Sequence, residues 1–419
     1  MAPKAASSTL SDFLKEQKTR YLEAVKEGKG REWTVAMGNE AGDLDSLSSA
    51  IAYSWYASTV QKSATVALFR AQKSDLHLRA ENLYALELAG LDPSDPPVLC
   101  LDDLPSTPPF PSNRFALVDH NHLDSDFTRD NTDPRVVAVI DHHEDEGSHK
   151  DTADPRVITV PTGSASSLVA LHLAAQCPDQ VPAELATLLL SSIMIDTGGL
   201  KPGGKAEQPD RAAAAFLTPR SLLPSDASSL SATSLHEDAE IKELASNLSA
   251  KKFSISHLTT RDLLRRDYKE YSMTPSWAKD QLIHVGLASV PLGLKALIAR
   301  DDTFWSATQQ WMADRNLSVL GILTSFRAEK KTNKKGNPKH KREQLFLVRE
   351  ETRVPGVAEK LLAGLEASED LKLKKKKKAL PKDETAVSGV TVGAWKQGNV
   401  DATRKVTAPL VKGVIEGSA

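Results

Sequence analysis

The sequence predicts an α/β protein: a doubly wound, mainly parallel sheet in its N-terminal part and a smaller α/β domain after it. Two observations carry this. Short apolar runs, rich in β-branched residues, recur at 33–37, 65–69, 98–101, 115–118, 136–140 and 157–160. Runs of that length suit strands buried on both faces of a parallel sheet. Helical patterns lie between or after them, at 45–61, 75–90, 164–176 and 183–195. Strands alternating with helices make a doubly wound sheet. The length of 419 residues allows two ordinary domains.

Taken in order, residues 11–27 read as an amphipathic helix. Ser11 can cap it, Phe13, Leu14, Tyr21, Leu22 and Val25 share a face, and Gly28 ends it. The α/β rhythm follows. From 203 to 234 the composition shifts to Gly, Pro, Ser and Ala, read as partly helical surface leading into a linker. A second globular unit is expected from about 240, with segments at 241–248, 258–271, 282–290, 317–324, 344–348 and 390–414. The expected domains are 1–235 and 236–419, with an active site in the cleft between them. The Lys-rich stretches 329–342 and 372–378 read as flexible loops. The sequence shows no internal repeat.

Composition narrows the function. The formal net charge is −2, which does not suggest a nucleic-acid coat or a membrane-surface protein. The signs are uneven, with carboxylates gathered in the first half and Lys and Arg later. An acidic pocket for metals, with basic residues elsewhere, would suit a polyanionic substrate. Two cysteines are too few for a disulfide framework, and a reducing compartment follows. No apolar run approaches the ~18 residues of a membrane span. The N-terminus lacks the apolar stretch of a secretory signal. Its Asp12, Glu16, Glu23 and Glu27 speak against a mitochondrial presequence. The expected location is cytoplasmic, with a mitochondrial pool still compatible.

Four acidic elements carry the chemistry. Gly38-Asn39-Glu40-Ala41-Gly42-Asp43-Leu44-Asp45-Ser46 follows the first strand. Asp119-His120-Asn121 follows the run 115–118, and Asp141-His142-His143 follows 136–140. Asp196-Thr197-Gly198-Gly199 ends an apolar helix. In open α/β sheets ligands bind beyond the carboxyl ends of the strands. Asp43, Asp45, Asp119, His142 and Asp196 would meet there. Carboxylates plus one imidazole favour Mg²⁺, Mn²⁺ or Co²⁺ over a thiolate-type zinc site. Without cations such carboxylates would repel. A bridging carboxylate can hold two metals ~3.5–4 Å apart, which clamp phosphoryl oxygens and activate water. The bland alternative is capping: Asp45 or Ser46 could be only an N-cap, and Asp124, Asp126 and Asp130 read as a solvated loop.

At these residues the chain resembles the DHH phosphoesterase superfamily, named for the triplet seen here as Asp141-His142-His143. All four motifs stand in order, and the resemblance runs from about 30 to 415. Within the superfamily the chain is most similar to fungal cytosolic exopolyphosphatases. That branch also holds family II inorganic pyrophosphatases and the prune proteins. The resemblance implies metal ligands at Asp43, Asp45, Asp119, His142 and Asp196, with Asp119 and Asp196 shared between two divalent ions. It implies phosphate contact or leaving-group assistance at His143, and an orienting role for Asp141. Asn39 stands where the pyrophosphatases have His, and is expected to alter that side of the metal site and to contact substrate. His143 stands where prune proteins typically have Arg. Lys269, Arg404 and Lys405 match phosphate-binding residues of the C-terminal domain, and Asn121 is expected to position substrate or water.

The implied activity is metal-dependent release of orthophosphate from the ends of inorganic polyphosphate. The alternatives are an inorganic pyrophosphatase and a prune-like hydrolase of short polyphosphates or cyclic nucleotides. A RecJ-type nuclease is disfavoured: the Gly-Gly-Gly-His motif is missing, and no aromatics interleave the basic runs. A non-catalytic interaction protein acting through the Lys-rich loops is disfavoured by the full set of ligands. No nucleic-acid or membrane partner is expected, and the chain is expected to be a monomer.

Overall fold

The structure is a computed structural model that describes residues 9–224, 231–300, 302–332, 338–349, 354–381 and 387–417. The chain forms two compact units, Met1–Ser254 and Ile255–Ala419.

The first unit opens with α1 (Leu10–Lys26). Its cap is Thr9 rather than Ser11. The Thr9 hydroxyl accepts from the Asp12 amide at 3.1 Å, and the Asp12 carboxylate accepts from the Thr9 amide at 3.2 Å. There follow β1 (Thr34–Met37), α2 (Leu44–Thr59), β2 (Thr65–Phe69), α3 (Ala80–Leu88), β3 (Leu99–Cys100), β4 (Arg114–Val118), the single turn α4 (Ser125–Thr128), β5 (Arg135–Asp141) and β6 (Arg156–Ile158). Helices α5 (Ala165–Gln176), α6 (Ala183–Thr197), α7 (Gln208–Leu217) and α8 (Ala239–Phe253) complete the unit. All six strands are parallel, in the order β3-β2-β1-β4-β5-β6.

The chain runs outward from β1 to β3, then returns to place β4 on the other side of β1. The carboxyl ends of β1 and β4 therefore flank the topological switch point, where open α/β sheets bind ligands. Ala36, Ala67, Ala116 and Ala138 are cross-strand neighbours and all buried. This flat row of methyl groups faces the helices in the same core as α2, α5 and α6. The opposite face packs Val35, Met37, Leu68, Phe115 and Leu117 against Tyr21 and Trp33.

The division after Ser254 falls later than the expected 235, because α8 packs on α3 and α6. Its Ile241, Leu244 and Leu248 belong to the first unit's core.

The second unit contains α9 (Thr260–Arg266), β7 (Tyr268–Met273), β8 (Ile283–Val290), α10 (Leu294–Ile298), α11 (Phe304–Asp314), β9 (Val319–Thr332), β10 (Pro338–Arg349), α12 (Val357–Ala367), β11 (Leu373–Lys375), β12 (Val390–Gln397) and α13 (Arg404–Glu416). Its mixed sheet has the order β11-β12-β10-β9-β8-β7, with only β8 and β9 parallel. The expected segment 258–271 is two elements, since α9 ends at Arg266 and β7 starts at Tyr268.

Among the described residues the stretch 329–342 is strand, and 372–378 is part strand and part 3₁₀ turn. Most of 329–342 lies in the paired strands β9 and β10, with 333–337 outside the described residues. Leu373–Lys375 form the edge strand β11. Lys376 turns inward to pair with Glu343, which also accepts from the Leu294 amide at 2.9 Å. Strand pairing and a buried carboxylate partner order what charge alone makes look like solvated coil. Among the described residues no helix is long and apolar enough to cross a membrane.

Candidate metal centre

The site is built on the carboxyl edge of the first sheet. Gly38 follows β1, and a Cβ there would lie 2.2 Å from the Cβ of Ser46. Only glycine lets the start of α2 come this close to the strand end. Asp43 caps α2, accepting from the Ser46 amide at 3.2 Å, so capping and site placement coincide in one residue.

Asp119 directly follows β4 in the left-handed region, at φ +60°, a conformation uncommon outside glycine but more open to Asp than to most residues. Its amide donates to the Ile140 carbonyl at 3.0 Å. One carboxylate oxygen, Oδ2, accepts from the Ser46 hydroxyl at 2.6 Å and from Asn39 Nδ2 at 2.7 Å. The other, Oδ1, faces His142 Nε2 at 3.3 Å and His143 Nδ1 at 3.7 Å. Donor atoms of Asp119, His142 and His143 lie within 4.8 Å of one another.

Asp45 stands in the first turn of α2 and points at the N-terminus of α5. Its Oδ1 accepts from the Ser164 hydroxyl at 2.7 Å, the Ser166 amide at 2.8 Å and the Ser192 hydroxyl at 3.1 Å. Its Oδ2 accepts from the Ala165 amide at 2.7 Å and lies 3.8 Å from His142 Nε2. The helix N-terminus supplies donors that suit a buried carboxylate.

The triplet divides its labour. Asp141 is fully buried. It accepts from the amides of His142 and His143 at 2.7 and 3.2 Å, and from His143 Nδ1 at 2.8 Å. Burial opposes its ionisation, but these bonds and one from Asn121 hold its pKa below the usual carboxylate value. Asp141 thus orients His143, as expected. His142 is fixed from outside the triplet: Nδ1 donates to the Thr162 carbonyl at 3.0 Å, which turns Nε2 toward Asp119 and Asp45.

The electrostatics are those of an anionic pocket. Burial, with Asp45 and Asp43 adding like charge, pushes the Asp119 carboxyl well above its ordinary range. Burial pushes Asp196 up to about 8. Lys252, 3.9 Å away, opposes the shift, and Asp45 and Asp43 reinforce it. Burial would lower the His142 pKa, but Asp119 and Asp45 outweigh it and raise it to about 10. Carboxylates that cannot all ionise together, around an imidazole drawn into its cation, fit divalent metal ions.

Two of the residues expected to contact substrate make their bonds within the protein. Asn121 is buried, with Nδ2 donating to Asp141 at 2.6 Å and to the Glu144 carbonyl at 3.0 Å, and Oδ1 accepting from the Glu146 amide at 2.9 Å. It braces Asp141. Asn39 donates to the carbonyl and carboxylate of Asp119, and its Oδ1 accepts from the Ala41 amide at 2.9 Å. Both ends of its amide are engaged within the protein, and its Nδ2 holds Asp119 in place.

In the second unit, Arg404 starts α13 and is anchored. Nη2 pairs with Asp267 at 2.9 Å, and Nη1 donates to the carbonyls of Asp267 and Leu287 at 3.1 and 3.4 Å. Lys269 is the β7 partner of Leu287, so these two cations share one corner of the sheet. Lys405 is exposed on the same helical turn.

Sequence reasoning missed Ser164 and Ser166, whose only local signal was a Ser-rich start to a predicted helix, and Ser192, which lies late in the apolar helix α6. It also missed Asp210 on α7, within a stretch read as surface.

Comparison with known proteins shows the family. The DHH family N-terminal domain matches residues 33–193, and the DHHA2 domain matches 246–414. A Schizosaccharomyces pombe protein provisionally named exopolyphosphatase is 30% identical over 395 residues, 90% of each chain. The mouse and human proteins named Exopolyphosphatase PRUNE1 are each 25% identical, over 70% and 73% of this chain and 59% and 63% of their own length. A Methanococcus jannaschii protein solved as a provisional family II inorganic pyrophosphatase shares the fold, with a TM-score of 0.55 at 15% identity. The likeness covers 92% of this chain and 99% of that one. The chain belongs to the DHH family of phosphoesterases.

Proposed function

We propose that the chain is an exopolyphosphatase, hydrolysing the terminal phosphoanhydride bond of inorganic polyphosphate and releasing orthophosphate. The observation that carries this reading is the convergence of Asp119, His142 and His143 at the switch point of a parallel sheet. The S. pombe relative that covers nearly the whole chain points the same way.

Asp43, Asp45, Asp119, His142 and Asp196 would hold two divalent cations, Mg²⁺ or Mn²⁺. Such a pair supplies Lewis acidity toward phosphoryl oxygens and acidifies water. The remaining work belongs to the protein. Ser46 and Asn39 hold Asp119 through one oxygen, leaving the other to face the site. His142 is tied at Nδ1, so Nε2 faces Asp119 and Asp45 and, once its proton is displaced, can ligate a metal. His143 donates Nδ1–H to Asp141, which fixes its ring and leaves Nε2 to contact phosphate or assist the leaving group. Lys269, Arg404 and Lys405 neutralise charge on the transferred phosphate and leaving group. The site in this reading takes one terminal phosphate at a time, so cleavage proceeds from a chain end. In this reading the protein works as a cytoplasmic monomer with no nucleic-acid partner.

The test is phosphate release from pyrophosphate, tripolyphosphate and long-chain polyphosphate, run in parallel with Mg²⁺ or Mn²⁺. Release from long chains with little attack on pyrophosphate is expected. Pyrophosphate as the best substrate would refute the exopolyphosphatase reading.

A further inference from the structure

Asp210 is fully buried on α7, outside every motif of the site. Its hydrogen bonds run to the loop before α5, to the first turn of α5 and to its own helix start. Oδ2 accepts from the Gly163 amide at 2.8 Å and the Glu207 amide at 2.8 Å. Oδ1 accepts from the Ser164 amide at 3.2 Å and the Ser167 hydroxyl at 2.6 Å.

Two of those donors lead straight to the metal centre. The N–H of Gly163 and the carbonyl of Thr162 are two ends of one peptide group, and that carbonyl accepts from His142 Nδ1 at 3.0 Å. A carboxylate on the N–H side polarises the peptide and strengthens its oxygen as an acceptor. Metal-binding imidazoles are commonly oriented and made more basic by a carboxylate or carbonyl on the other ring nitrogen. Here a carboxylate acts on the imidazole through one intervening peptide. The second route is Ser164, whose amide donates to Asp210 and whose hydroxyl donates to Asp45 at 2.7 Å.

Gly163 is the residue this arrangement needs. A Cβ at 163 would lie 2.8 Å from Asp210 Oδ2 and 2.8 Å from Thr197 Cγ2, so any side chain would push the carboxylate off the peptide.

We infer that Asp210 is a positioning residue for the metal centre, orienting His142 through the Thr162–Gly163 peptide and Asp45 through Ser164. This rests on His142 and Asp45 being metal ligands, as proposed above.

The test is Mn²⁺ binding to the full-length protein by titration calorimetry, for wild type, Asp210→Asn and Gly163→Ala. Alongside it, the His142 Nδ1–H proton resonance is followed in the Mg²⁺-loaded protein. Asp210→Asn, which puts an NH₂ where an acceptor is needed, should weaken Mn²⁺ binding roughly 10–100-fold with native circular dichroism. It should also move the Nδ1–H resonance upfield, which a purely structural role would not do. Gly163→Ala keeps the carboxylate but displaces it, and should give both changes in the same direction; it decides the matter if Asp210→Asn does not fold. Wild-type binding that is tight and unchanged in a folded variant, with the resonance unmoved, would overturn the inference alone. Wild-type protein that binds no Mn²⁺ would overturn the metal assignment and this inference with it.

Discussion

The two units hold their charged side chains in opposite ways. In the first, Asp45, Asp119 and Asp141 are buried, and each accepts several bonds from amides, hydroxyls or imidazoles close to a strand end or helix start. In the second, Arg404 is tethered by one partly exposed carboxylate and two carbonyls, and Lys405 is exposed. The first arrangement would fix the geometry of a multivalent ion, and the second would neutralise substrate charge while leaving room to adjust. Damage should therefore be near-total in the first unit and graded in the second.

The largest effect expected is from Asp119→Asn, which replaces the site-facing or the Asn39-bonded oxygen by an amide. Losing several kcal/mol of charge stabilisation corresponds to a fall in kcat on the order of 10³-fold or more. Circular dichroism should stay native. A folded variant with near-full turnover would dissolve the contrast between the units.

Arg404→Ala should raise KM for polyphosphate about 10–100-fold, as loss of a charge-assisted contact implies. Asp267→Asn, which only frees the guanidinium, should cost less. If Asp267→Asn proved the worse of the two, Arg404 would be serving the fold of the second unit rather than substrate.

The acidic pocket also sets a pH dependence. Asp196 and Asp119 keep their protons above the ordinary 3.8, Asp196 up to about 8, and His142 keeps its proton up to about 10. Between the unfolded and folded values the folded state binds more protons, so stability falls as pH rises. Metal-free protein should lose Tm between about pH 5 and about pH 8, and saturating Mg²⁺ should flatten that slope by replacing the protons. A Tm that climbs over this range without metal would contradict the placement of these carboxyls.

The smallest effect is expected from Ser192→Ala. It removes one of the bonds that hold Asp45, worth about 1 kcal/mol or roughly fivefold in Mn²⁺ affinity.

The contrast between units also governs what the sequence reveals. Buried parallel strands leave continuous apolar runs, so β2 coincides with its predicted run and β1, β4 and β5 lie within a residue of theirs. The site carboxylates are legible because they follow those runs directly. What supports them is not. Asn39 and Asn121 look like substrate contacts because their positions abut the motifs, yet whether an amide faces the site or braces it depends on partners such as Ala41 and Glu146. Asp210 reaches the site across 47 residues of chain, a distance no local pattern encodes. In the second unit, lysine runs hide strands whose order comes from pairing with β12 and from the carboxylate of Glu343.

The most direct test of the central claim is the size of the polyphosphate left behind during partial hydrolysis by the Mg²⁺-loaded enzyme, followed by ³¹P NMR with orthophosphate release. Terminal hydrolysis predicts that orthophosphate is the sole small product from the first turnovers, with no fragments of intermediate length. Early mid-length fragments, or pyrophosphate as the released unit, would contradict it.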